Sequence, residues 1–110
     1  MNSLSFVIFA GPMEGKRFSV NLDIKDQFTI GRAADSDICI AEDILVSRNH
    51  AIAKIHDKKL LISDTNSKNG TFIKGERIKS SGQLSAGETI TLGHTVLKFI
   101  GFSSLDNVKK

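Results

Sequence analysis

Tryptophan and tyrosine are missing from this chain, which leaves seven phenylalanines as its only large aromatics apart from histidine. Stacking platforms for single-stranded nucleic acid are therefore not evident, and the phenylalanines fall mostly in strand patterns suited to a core. One proline, Pro12, beside nine glycines excludes collagen-like and proline-rich disordered chains. The lone cysteine, Cys39, excludes an internal disulfide. Set between Ile38 and Ile40, it reads as a small buried apolar residue, with the cytoplasm as the expected compartment. No apolar stretch approaches the roughly 20 residues of a membrane span. The apolar run within Met1 to Ala10 has no basic segment ahead of it, so it reads as a first strand and not as a signal peptide.

Catalytic signatures are missing too. There is no P-loop with its lysine, no nucleophile elbow, no metal-ligand cluster and no convincing triad, so neither an enzyme nor a cofactor is expected. At 110 residues the chain has room for one domain. Its net charge of +3 is mild and unevenly placed. Arg48 to Lys79 holds eight cations against three carboxylates, a local +5, which would steer acidic or phosphorylated partners.

What is present is period-2 apolar alternation, which dominates from end to end. It predicts strands at Leu4–Ala10, Arg17–Leu22, Gln27–Gly31, Ile38–Ile40, His50–His56, Leu60–Asp64, Thr71–Ile73, Glu88–Leu92 and Thr95–Phe102. Two shorter strands are expected near Arg77–Ile78 and Gln83–Leu84. Turn residues punctuate them, among them Asp57-Lys58, Asn69-Gly70 and Lys74-Gly75. Asn69-Gly70 suits a type I′ hairpin, which needs positive φ at both central residues. Short strands at close spacing predict an all-β, antiparallel sandwich or barrel over residues 1–102, with 103–110 as a tail or linker.

The chemistry collects on the turns. Gly31-Arg32, Ser47-Arg48-Asn49-His50 and Ser67-Lys68-Asn69-Gly70-Thr71 place guanidinium groups, a hydroxyl, an amide and backbone N–H groups where a rigid sheet can aim them at one anion. In order and spacing, with Asp37-Ile38 and Asp64 between them and Leu84, Gly87-Glu88, Ile90 and Leu92-Gly93 after them, these segments resemble the forkhead-associated (FHA) domain family. The resemblance covers roughly Phe6 to Ile100.

It implies a β-sandwich of about eleven strands whose loops at one end bind phosphothreonine peptides. Arg32 matches the phosphate-gripping arginine and Ser47 the phosphate-binding serine. Arg48 and Lys68 match positions that assist, and Asn69 one that bonds the peptide backbone. Gly31, His50, Asp64, Ser67, Gly70 and Thr71 are expected to support the pocket, His50 by bonding neighbouring loops. One departure stands out: Lys74 occupies a position where the family commonly has Asn, and lysine cannot accept the hydrogen bond made there. Lys68 is expected to hold the dianion or to favour acidic residues beside it.

The leading reading is a phosphothreonine-binding module in kinase-dependent signalling, carried in a larger polypeptide. The alternative is a phosphate-independent scaffold on the same fold. Nucleic-acid binding through the basic segment ranks third, and no membrane partner is expected.

Overall fold

Alternation of apolar and polar residues, combined with glycine- and asparagine-bearing turns, produces eleven strands in a computed structural model that describes residues 2–103. They are β1 (Ser3–Ala10), β2 (Arg17–Asn21), β3 (Gln27–Gly31), β4 (Ile38–Cys39), β5 (Ala51–His56), β6 (Lys59–Asp64), β7 (Thr71–Ile73), β8 (Glu76–Arg77), β9 (Ser81–Leu84), β10 (Thr89–Leu92) and β11 (Thr95–Ser103). Two sheets form, one ordered β2-β1-β11-β10-β7-β8 and the other β4-β3-β5-β6-β9. All pairings are antiparallel except the short parallel contact of β3 with β4, where Ile30 faces Ile38 and Gly31 faces Cys39. Ser103, assigned to the tail by sequence, ends β11 opposite Ser3; residues 104–110 lie outside the described residues.

The inward faces supply the core. Leu4, Phe6 and Ile8 on β1 meet Leu97 and Phe99 on β11, and the other sheet contributes Phe28, Ile30, Ala53, Leu60 and Ile62. Phe6 bridges the sheets: its ring stacks on Phe99 at 5.1 Å and meets Phe28 edge-on at 6.1 Å. Fully burying each such side chain contributes about 1.5–3 kcal/mol, so the sandwich rests on this interior and its loops can carry polar work.

Two expectations are corrected. Asn69-Gly70 does not form a type I′ hairpin, because Asn69 is not among the residues with positive φ and only Gly70, at +88°, has that conformation. Its flanking strands β6 and β7 belong to different sheets, so the segment crosses the sandwich instead of reversing within one ladder. Cys39 is half-buried, because β4 is an edge strand whose alternation sends Ile38 and Ile40 inward and Cys39 outward. The turn expected at Lys74-Gly75 forms, with lysine in place of the family's asparagine. Lys74 adopts φ +51° and Gly75 +84°, and the β7–β8 pair closes with Phe72 opposite Arg77. The lysine backbone N–H donates to the Thr89 carbonyl and its ammonium pairs with Glu88 at 3.3 Å.

Candidate functional site

Three loops meet at one end of the sandwich: β3–β4 with Arg32, β4–β5 with Ser47 and Arg48, and β6–β7 with Lys68 and Asn69. They frame a cleft of about 280 Å³ lined by Arg32, Ile44, Leu45, Val46, Ser47, Arg48, Lys68 and Asn69. All five residues matched to ligand-binding positions are there. Among the described residues no carboxylate lines the cleft, and Ile44 stands 84% exposed on its rim.

The β4–β5 loop organises the others through three successive carbonyls. The Leu45 carbonyl accepts from Asn69 Nδ2 at 2.8 Å, the Val46 carbonyl from Arg32 Nε at 2.9 Å, and the Ser47 carbonyl from the Arg32 backbone N–H at 3.0 Å. Holding Arg32 by Nε leaves both terminal nitrogens of the guanidinium, the fork that suits two phosphate oxygens. Among the described residues Arg32 forms no ion pair. Asp37, nearby in sequence, is committed to Lys25 at 2.6 Å and to the Thr29 N–H at 2.9 Å. Burial pushes the Asp37 carboxyl up, but the hydrogen bonds and charge of Lys25 and those of Thr29 outweigh it and hold it below its ordinary value.

Ser47 is the hub. Its Oγ accepts the Lys68 N–H at 3.0 Å, which fixes the oxygen while the O–H remains able to donate. Its own N–H donates to His50 Nδ1 at 3.0 Å. That acceptor role requires the proton on Nε2, which then donates to the Gly70 carbonyl at 2.9 Å. His50 is fully buried and ties the Ser47 loop to the Asn69 loop, a structural task.

Asp64, Ser67 and Thr71 fasten the crossing segment from behind. The Asp64 carboxylate accepts from Ser67 N–H at 2.9 Å, Ser67 Oγ–H at 2.5 Å and Thr71 Oγ1–H at 2.6 Å, and Ser67 Oγ in turn accepts the Gly70 N–H. Burial raises the Asp64 carboxyl, yet the hydroxyls of Ser67 and Thr71 and the Ser67 N–H bring it below the usual value. Gly31 serves by having no side chain: a Cβ there would stand 2.1 Å from the Arg48 carbonyl oxygen. The Arg48 and Lys68 side chains are exposed and make no hydrogen bond or ion pair among the described residues.

Sequence reasoning missed Asp43. It is 1% exposed, and it accepts from Leu45 N–H at 3.0 Å, His94 N–H at 2.8 Å and Thr95 Oγ1–H at 2.7 Å. The carboxylate thereby pins the start of the carbonyl ladder to the β10–β11 turn. The available signal was local: an aspartate bonding the backbone two residues on is the mark of an Asx turn.

Known proteins share this fold. The family model described as the FHA domain matches residues 28–93. An oxoglutarate dehydrogenase inhibitor from Corynebacterium diphtheriae is 35% identical over 94 residues, covering 86% of this chain. The chain spans only 62% of that relative's length. Among solved structures, the FHA domain of the CT664 protein from Chlamydia trachomatis superposes with a TM-score of 0.77 at 28% identity, covering 92% of this chain and 99% of its own. A domain studied for phosphothreonine-dependent FHA interactions has the same TM-score at 25% identity, covering 93% and 99%.

Proposed function

The chain belongs to the FHA family, and from that premise we propose that it is a non-enzymatic module that captures phosphothreonine-bearing proteins for kinase-dependent signalling. The observation that carries this reading is the carbonyl ladder of Leu45, Val46 and Ser47, which holds Asn69 and Arg32 around a cleft without carboxylates. Arg32 forks onto two phosphate oxygens, Ser47 donates its hydroxyl to a third, and Arg48 and Lys68 add charge at the rim. Asn69, held by its Nδ2, offers its remaining amide hydrogen and Oδ1 to the peptide backbone. Gly31, His50, Asp64, Ser67, Gly70 and Thr71 keep the loops in place.

The energetics suit a reversible contact. A phosphothreonine carries about −1.5 to −2 charges and three strong acceptors. Three hydrogen bonds to charged groups at about 1.5–3 kcal/mol each offset the costs of association and leave affinity near the micromolar range. The relative named for inhibiting oxoglutarate dehydrogenase supports a partner that is itself an enzyme, and the partner is a cytoplasmic Ser/Thr-kinase substrate on this reading.

Titration with a phosphothreonine peptide library, with phosphoserine and unphosphorylated controls, tests the reading. Arg32→Ala is expected to remove phosphate-dependent binding altogether. Binding indifferent to phosphate and to Arg32 would instead make this a scaffold. Lys68→Ala is expected to weaken peptides with acidic residues flanking the phosphothreonine more than neutral ones, and equal affinities before and after would remove Lys68 from recognition.

A further inference from the structure

The β1–β11 ladder breaks register twice. Phe6 pairs with Phe99 and Ser5 with Gly101, which leaves Ile100 unpaired; Ile8 pairs with Leu97 and Ala10 with Val96, which leaves Phe9 unpaired. These two residues are also the exposed large apolar side chains of the six-stranded sheet, at 63% for Phe9 and 43% for Ile100. A bulge re-aims the side chain it carries, and here both aim at solvent. Lys98 stands between them on the same outward face, opposite Val7, and its ammonium lies 5.9 Å from the centre of the Phe9 ring.

Charge at the outward strand positions of this face has one sign. By strand alternation its outward positions include Arg17 on β2, Lys98 on β11 and Arg77 on β8, with Val7, Phe9, Val96 and Phe72 among them. The carboxylates of the described residues lie on turns and loops, or on Asp64 and Glu76, which pair with inward-facing Ala51 and Ile73. We infer that the outer face of the six-stranded sheet, centred on Phe9, Lys98 and Ile100, docks an acidic protein segment bearing apolar side chains, without phosphate.

Charge selects this occupant over two others. A second copy meeting the face about a two-fold axis would set its cations against one another. Three cations at about 1 kcal/mol each near an anionic bilayer, with two protruding apolar side chains, fall short of stable membrane attachment. An acidic segment neutralises the cations and covers Phe9 and Ile100 in the same contact.

The test pans a phage-displayed library of short unphosphorylated peptides against the full chain, then titrates the selected peptides as synthetic compounds. Enriched sequences are expected to combine Asp or Glu with Phe, Leu or Ile and to shift the amide resonances of Val7, Phe9, Lys98 and Ile100. Phe9→Ser and Lys98→Glu are each expected to weaken them by about tenfold, as loss of an anchor does. Phe9→Ser should keep its affinity for phosphothreonine peptides, which shows that it folds and separates this surface from the cleft. The inference is overturned if nothing is enriched, if a phosphothreonine peptide displaces the selected ones, or if Phe9→Ser binds them as wild type does. It is equally overturned if Phe9→Ser abolishes self-association or binding to phosphatidylserine vesicles while peptide binding is absent.

Discussion

At the scale of the residue, the cleft is held in shape by side chains that do not line it. Asp43 fixes the Leu45 N–H, and the carbonyls of Leu45, Val46 and Ser47 that follow hold Asn69 and Arg32. Replacing Asp43 with Asn keeps the volume but exchanges one acceptor oxygen for a donor facing backbone N–H groups. We expect Asp43→Asn to weaken phosphothreonine-peptide binding by about tenfold, the worth of one disturbed charged hydrogen bond. Asp43→Ala should cost about 3 kcal/mol of stability, since buried donors lose their partner. Calorimetric titration beside denaturant unfolding separates the two effects. If Asp43→Asn lowered stability but left the affinity of the folded fraction intact, the aspartate would brace the fold and not the site. His50 works similarly through its two ring nitrogens, one accepting from the Ser47 loop and the other donating to Gly70.

At the scale of the element, the strands were legible because each buries one face, and a period of two survives in sequence. All eleven strands emerge within a residue or two of where alternation put them; the largest shift is at β9, which starts at Ser81. Partnership between elements was less legible. Asn69-Gly70 has the composition of a hairpin turn, but nothing local says that the strands on either side enter different sheets. Asp43 escaped notice because two of its partners lie 51 and 52 residues away. The bulges at Phe9 and Ile100 arise from register between distant strands, which alternation within one strand does not encode. The five residues proposed to face the ligand were readable only as a spaced set, since each short motif is common by itself.

The β7–β8 turn tests how strongly such an element depends on its residues. Lys74 holds a left-handed conformation that an asparagine tolerates better, because its short amide bonds locally. Against this stands the Lys74–Glu88 pair, whose lysine side chain is 64% exposed and contributes little. Lys74→Asn is therefore expected to stabilise the domain by about 0.5 kcal/mol, the backbone gain exceeding the surface ion pair. Chemical denaturation of both proteins checks the sign. A loss of stability would mean that the ion pair, and not backbone strain, governs this hairpin.

At the scale of the whole molecule, charge is sorted by position. Apart from Glu76 on β8, the carboxylates of the described residues sit on turns and loops or are tied up behind the cleft, while the cleft presents Arg32, Arg48 and Lys68 with no described carboxylate. This field acts on the ligand's own ionisation. The second phosphate pKa is about 6 in a free phosphothreonine. A site that prefers the dianion must lower it in the complex, by linkage, as much as affinity falls on protonation. Asp37, Asp64 and Glu88 leave that window clear. Asp37 and Asp64 are held low against the effect of burial by their hydrogen bonds, and Glu88 chiefly by the Ser85 N–H, opposed by burial and helped by Lys74. A depressed folded-state value means that their stabilisation is fully present above the ordinary carboxylate range and is lost only as pH falls through the lowered values. The fold therefore keeps these contributions from pH 7.5 to 5, across the range where the phosphate titrates. Phosphorus NMR of a phosphothreonine peptide, free and bound, measures the shift directly, and calorimetry over the same range measures affinity. We expect the bound phosphate to titrate below the free one and affinity to decline as pH drops past about 6. Equal titration in both states, with affinity flat down to pH 5, would mean that the cleft does not discriminate between phosphate charge states, and recognition of the dianion by Arg32 and Ser47 would fail.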